Sequence, residues 1–392
     1  MPGMAGDHSY CLGNFRESVT MAHSRLSHRR SNRAGDDRGR PGEPRVRLPA
    51  RAQIPAGRSV HHPDMIRDSS DARGVVFLHG GWRCASTYVW SRFRAVERTT
   101  CFYEPFAERL AHTSRKGIGR DTAGGWDSRH PALTAPYRAE YLPLLRGFLH
   151  GVPGYREAFA LEHYFPRDGA RGEVAYLSRL IEHARRDGKA AVLGFSRSLA
   201  RASALKSALG GYHLVIRRSP RQQWLSCRSY RVQGPMPYFE LCHALILTLA
   251  PFDSPAGRFA RSLGLPRMPR WVSGVERQLG RLQAQLGAWD DELSYRAFLG
   301  VYLLSHATAA AAADLVLDVD RLDRSAQYRE QAGAVVLGGT GLAVDFSDCR
   351  VSRHEIADLA LDFAGIEADV RQQLTDFGAD LDAAATPGYA QV

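Results

Sequence analysis

Short, continuously apolar runs recur along the chain, each closed by a Gly, Pro or polar turn and followed by a stretch of helical period. Residues 74–79 (GVVFLH), 99–106 (TTCFYEPF), 189–195 (KAAVLGF), 213–217 around Leu214, Val215 and Ile216, and 315–318 (LVLD) have the length of buried strands. Helical patterns start at Ser86, cover 174–184, follow Arg197, and follow the Ser219-Pro220 turn with Trp224 and Leu225. Residues 231–297 are helical in pattern, broken by a Pro-rich stretch at 251–269, and the acidic, Ala-rich segment from 351 to the end reads as helical too. Strands alternating with helices predict a three-layer α/β/α fold around a mainly parallel sheet.

Residues 1–72 lack this rhythm. They are rich in Arg, Ser, Gly, Pro and Asp, and their apolar residues gather on no face, so a poorly ordered extension is expected there, with Met65 as an alternative start and one domain over 73–392. At 44% hydrophobic residues the chain can bury a sizeable core. Its most apolar stretches, 241–252 and 298–313, are interrupted by Cys, His, Ser and Thr and read as buried helices rather than membrane spans. No cleavable leader pattern is present, which points to a cytoplasmic protein.

The net charge of +11 comes almost wholly from arginine, since only Lys116, Lys189 and Lys206 are lysines. No stretch interleaves aromatics with a clustered basic face, so nucleic acid is not an expected partner, whereas a small polyanionic ligand suits the charge. Six cysteines show no CxxC spacing, which argues against zinc and redox motifs. Cys84 and Cys227 flank candidate chemistry; both read as small buried side chains, although alkylation there could inactivate an enzyme. Trp271 and Trp289 are expected in the core or at an interface.

The candidate chemistry centres on residues 74–94. A strand, the Gly80-Gly81 turn and a helix from Ser86 form an anion site, because the first helical turn has unpaired N–H groups and the positive end of the dipole. Arg83 adds charge and Ser86 and Thr87 add hydroxyls. A nucleoside-triphosphate loop, GxxxxGK(S/T), does not fit, since Ala85 stands where its Gly-Lys step begins. Arg83-Cys84-Ala85-Ser86-Thr87 instead resembles the 5′-phosphosulfate loop of sulfotransferases that use 3′-phosphoadenosine 5′-phosphosulfate (PAPS), written R-S-G-S/T-S/T. Downstream, Arg218 ends a strand and Ser226 lies eight residues later, the spacing of that family's 3′-phosphate motif.

The resemblance implies a P-loop-kinase-like sulfotransferase fold, PAPS as donor with adenosine 3′,5′-bisphosphate as product, no metal, and transfer of a sulfuryl group to a hydroxyl or amine of a small-molecule, carbohydrate or lipid acceptor. It implies catalytic roles for Arg83 and Glu104, and donor contacts from Arg83, Cys84, Ala85, Ser86, Thr87, Arg218 and Ser226. Tyr103-Glu104-Pro105 is similar to the F-x-Glu-Pro segment of carbohydrate-type members, which makes Glu104 the candidate general base; a helix-start carboxylate is the competing reading. Arg197 and Arg201, in a segment similar to bacterial members, face either the donor, an acidic acceptor or solvent. Asp318 and Asp320 resemble acidic residues that tie such sheets together. The cytosolic subfamily's C-terminal RKGxxGDWK motif is missing, which leaves the adenosine contacts unassigned. Residues 113–172 would shape the acceptor pocket without revealing the acceptor, and oligomeric state is not legible. Two rival readings remain. Gly194-Phe195-Ser196-Arg197-Ser198 is one residue short of a GxSxG elbow, with His354 downstream as a triad partner in an α/β-hydrolase. The other is a nucleotide binder that has lost activity.

Overall fold

The computed structural model describes residues 74–120, 133–147, 150–166, 168–233, 236–269, 271–287, 289–355 and 359–382. The extension expected at 1–72 lies outside them. In chain order the elements are β1 (Val75–His79), α1 (Ser86–Arg94), β2 (Thr99–Tyr103), α2 (Arg115–Arg120), α3 (Arg171–Arg186), β3 (Ala190–Phe195), α4 (Ala202–Leu209), β4 (Tyr212–Arg217), α5 (Pro220–Gln233), α6 (Tyr238–Leu249), α7 (Pro255–Ser262), α8 (Val275–Leu286), α9 (Asp291–Ala310), β5 (Leu315–Asp318), α10 (Val319–Arg324), α11 (Ala326–Thr340) and α12 (Phe363–Asp376).

The five strands form one sheet in the order β2-β3-β1-β4-β5, and every pairing is parallel. Because side chains alternate across a strand, each one feeds two cores. Val76, Leu78, Cys101, Val192, Leu214 and Ile216 pack with Val89, Trp90 and Phe93 of α1 and with Tyr328, Ala332 and Val336 of α11. On the other face, Val75, Phe77, Phe102, Ala191, Leu193 and Phe195 meet Tyr176, Leu177, Leu180 and Ile181 of α3 and Leu205 of α4. Both faces are covered by helices, which is why the strands read as unbroken apolar runs and why the three-layer expectation holds. A separate helical core forms around Trp224, Leu245, Phe259, Leu282, Phe298 and Val370 from α5, α6, α7, α8, α9 and α12.

Three expectations need correction. The Pro-rich stretch contains a helix, because Pro255 sits in the first turn of α7, where its missing N–H costs nothing, and Ser254 caps that turn by accepting from the Gly257 amide. Of the core and interface positions expected for Trp271, the core is excluded, since it is 75% exposed with Arg281 over its ring; Trp289 packs against the helical core. Of the helix expected from residue 351 onward, α12 forms, while residues 351–355 are not helical. No helix among the described residues is long and apolar enough to cross a membrane.

Burial also decides the titration of four histidines. His79 is held well below its usual value, His213 falls to about 4, and His243 and His306 fall to about 3, in each case chiefly because burial disfavours the imidazolium. The unfolded chain takes up these protons near pH 6.5 and the folded one does not, so the stability they confer is complete above pH 6.5 and is lost as pH falls below it. Replacing His306 by Gln is therefore expected to flatten the dependence of unfolding free energy on pH by about 1.4 kcal/mol per unit below pH 6. Denaturant titrations of both proteins from pH 7 to 5 check this, and parallel slopes would contradict it.

Candidate functional site

All strands being parallel, their C-terminal ends lie at one edge of the sheet. From β1 the chain passes over β3 to reach β2, while from β4 it goes the other way to β5. Loops leaving in opposite directions open a crevice between them, the usual ligand position in an open α/β sheet. Arg83 follows β1, Glu104 directly follows β2, Ser196 to Ser198 follow β3, and Arg218 follows β4, so the candidate residues from distant segments meet at this edge.

The loop after β1 is tightly built. A Cβ on Gly80 would come within 2.7 Å of Cys84 Sγ, and one on Gly81 within 2.6 Å of Gln223 Nε2. These glycines supply space rather than the left-handed backbone. That conformation falls instead on Arg83 (φ 65°) and Ala85 (φ 66°), the latter capping α1. Such residues each cost about 1–2 kcal/mol of steric strain, and left-handed residues in a turn belong to the backbone class that builds anion-binding concavities. Arg83, Ala85 and Ser86 keep partial exposure at the mouth. Thr87 does not: it is buried, and its hydroxyl is hydrogen-bonded to the Tyr103 hydroxyl at 3.0 Å.

Arg83, Ser226 and Arg218 form one unit, in a different pattern from the expected convergence of Arg218 and Ser226. Arg83 Nε donates to Ser226 Oγ at 3.0 Å, with the guanidinium 5.6 Å from the Phe239 ring centre. Arg218 Nη1 donates to the Arg83 carbonyl at 2.8 Å and its Nη2 to the Ser352 carbonyl. Its closest carboxylate contact is at 3.9 Å, from Nε to Asp320. Burial accordingly pushes the Arg218 guanidinium below its usual range, with Asp320 only partly opposing this. A 4%-exposed cation bonded mainly to neutral carbonyls is under-compensated, a property that suits an anion beside it. Asp320 accepts from the Ser219 amide at 2.7 Å and Asp318 caps α10, so both act in the scaffold.

Glu104 is the third strained residue (φ 50°), held by donation of its amide to the Gly194 carbonyl at 2.8 Å. It caps no helix. Its Oε2 accepts from the Ser196 amide (3.1 Å), Ser196 Oγ (2.7 Å) and Arg197 Nη1 (3.1 Å). Its Oε1 receives no hydrogen bond among the described residues. Burial raises the Glu104 carboxyl, while Arg197 and Ser196 pull it down. Arg197 Nη2 continues to Glu108 Oε2 (2.8 Å) and the Tyr238 hydroxyl (3.1 Å), and that hydroxyl donates to Glu108 Oε1 at 2.6 Å. For Glu108, Arg197 and Tyr238 outweigh burial and hold the carboxyl low. Neither arginine of this segment is solvated. Arg201 is fully buried, donating to the carbonyls of Phe159 and Arg197 and pairing with Glu173. Nothing in the spacing of Glu104, Glu108, Arg197 and Tyr238 reveals their meeting, apart from the apolar runs that put two of them just beyond strands.

Beneath the β3 loop runs a fixed polar chain. Gly210 O can only accept, so His213 Nε2 carries the proton at 3.0 Å; His213 Nδ1 then accepts from His79 Nε2 (2.9 Å), and Ser198 Oγ donates to His79 Nδ1 (2.7 Å). Ser198 is fully buried, so this Ser–His pair anchors the loop and reaches no substrate. Ser196 Oγ donates to a carboxylate rather than to an imidazole, and the backbone of His354 is clamped by the Gln222 side chain, a pattern that gives the hydrolase reading no triad among the described residues.

No protein-family model matches the sequence, and no curated protein or solved structure matches it either.

Two outcomes are expected. Ala85→Gly relieves the left-handed strain and raises stability by on the order of 1 kcal/mol after the entropy of the unfolded glycine is set against it; a lower midpoint in denaturant would contradict this. Burial pushes the Cys84 thiol up to about 11 and also raises that of Cys227, in keeping with small buried side chains, so iodoacetamide at pH 7.5 should leave both unlabelled in peptide mass maps of the native protein.

Proposed function

We propose that this chain is a PAPS-dependent sulfotransferase of P-loop-kinase-like architecture. The observation that carries the reading is the meeting of Arg83, from the loop after β1, with Arg218 and Ser226, from the β4–α5 segment, at the switch point of the sheet, with Glu104 at the end of β2 on the same edge. The residues present suit a doubly anionic nucleotide: an under-compensated buried Arg218, a second arginine held by Ser226, and the N-terminal turn of α1 with no acidic residue in it.

In this reading PAPS is the donor substrate and supplies the sulfuryl group. Arg218 and Ser226 hold the 3′-phosphate, and the amides of Ala85, Ser86 and Thr87 with the Ser86 hydroxyl hold the 5′ end. Arg83 stabilises the electron pair left on the phosphate oxygen as the sulfur–oxygen bond breaks. Glu104 takes the proton of the acceptor hydroxyl as that oxygen bonds to sulfur. Alignment and charge stabilisation do most of the work, as in phosphoryl transfer. Binding requires Arg218 to exchange a carbonyl for a phosphate oxygen, a stronger, charge-assisted bond.

Calorimetric titration of the full chain with adenosine 3′,5′-bisphosphate, with AMP as control, tests this. Binding that needs the 3′-phosphate and weakens in Arg218→Ala supports it; the loss of one charge-assisted bond, about 1.5–3 kcal/mol, corresponds to roughly tenfold to a hundredfold or somewhat more in affinity. Absence of binding by either nucleotide rejects it. With an acceptor found by screening, Arg83→Ala is expected to lower turnover far more than nucleotide affinity, and equal losses in both would remove Arg83 from the transition state.

A further inference from the structure

We propose that Arg197 is a positioning residue for Glu104: it grips one carboxylate oxygen and leaves the other oxygen for the acceptor hydroxyl. The role of Glu104 as base rests on the sulfotransferase reading; the coupling of Arg197 to Glu104 does not. Three donors converge on Oε2, two from Ser196 and one from Arg197, and none of the described residues donates to Oε1. A carboxylate bound through one oxygen has a fixed plane and a single oxygen to offer.

Arg197 cannot drift from this task. Its side chain is 6% exposed and lies over the Trp82 ring with the guanidinium 5.1 Å from the ring centre, and its second terminal nitrogen is held by Glu108 and Tyr238. One guanidinium thus serves two carboxylates. Glu108 claims part of its charge, Tyr238 on α6 braces Glu108, and the balance sets how strongly Glu104 is held as an anion. The other charged or titratable groups near Glu104 are Arg138, which favours its charged form, and Tyr103 and Tyr141, whose phenols burial raises, with Glu104 adding to the rise. Without Arg197, burial would act on Glu104 with less to oppose it and push its carboxyl further up.

The two partners predict opposite signs. Titration of the full chain labelled with [δ-13C]glutamate, with the Glu104 resonance assigned by its loss in Glu104→Gln, is the direct measurement. Arg197→Gln is expected to move the Glu104 midpoint up by at least one pH unit, and Glu108→Gln to move it down, because Arg197 then serves one carboxylate; Arg197→Lys should return the midpoint towards the original value. A Glu104 midpoint unchanged or lowered in folded Arg197→Gln overturns the proposal. If that variant does not fold, Glu108→Gln decides: a fall supports the proposal, and no change or a rise overturns it. The measurement uses neither nucleotide nor acceptor, so it stands apart from the calorimetric test. Where transfer is detected, the acidic limb of the kcat/KM profile should shift upward with the midpoint in Arg197→Gln.

Discussion

A parallel sheet gathers all its strand-to-helix loops at one edge, and everything at the candidate site depends on that constraint. Residues far apart in the chain, such as Arg83 and Arg218, touch because β1 and β4 are paired neighbours whose chains leave in opposite directions. The helices that make this edge rigid do so by covering both faces. α1 and α11 lie on one side and α3 and α4 on the other, each against alternate residues of the same strands.

At this edge the protein keeps features that a stable core would not select. Three non-glycine residues are left-handed, at Arg83, Ala85 and Glu104. Each lies within two residues of a bond that ties one loop to another: Arg83 to Ser226, Arg218 to the Arg83 carbonyl, and Glu104 to Ser196. Buried charge is concentrated there too. Burial raises the Glu104 carboxyl, and Arg197 opposes it; burial disfavours the Arg218 charge, and no close carboxylate restores it. Strain and unbalanced charge survive only where surrounding packing over-determines them, and they collect at sites that bind or react.

The polar chain from Ser198 through His79 and His213 to Gly210 shows how a buried network can set geometry without chemistry. Each hydrogen is forced by the carbonyl at its end, so the β3 loop that carries Ser196 and Arg197 is pinned in one position. That pinning matters because Ser196 and Arg197 supply all three bonds to Glu104.

The sequence by itself determined the strands, the parallel three-layer arrangement and the turn and helix start that carry Arg83. Those follow from local period, apolar run length and the chemistry of a helix start, and α1 begins at Ser86 as its pattern requires. It also singled out Glu104, Arg218 and Ser226 by their places beyond strands. Only the tertiary structure decided what they touch. Ser226 bonds to Arg83, whose carbonyl Arg218 also holds, Thr87 turns in to Tyr103, and Arg197, readable in sequence as a solvated or ligand-facing side chain, is buried between Glu104 and Glu108. Local pattern fixes which face of an element is apolar. It does not encode which polar groups from separate elements will share a low-dielectric space, and there the partners, not the residue type, set charge and orientation.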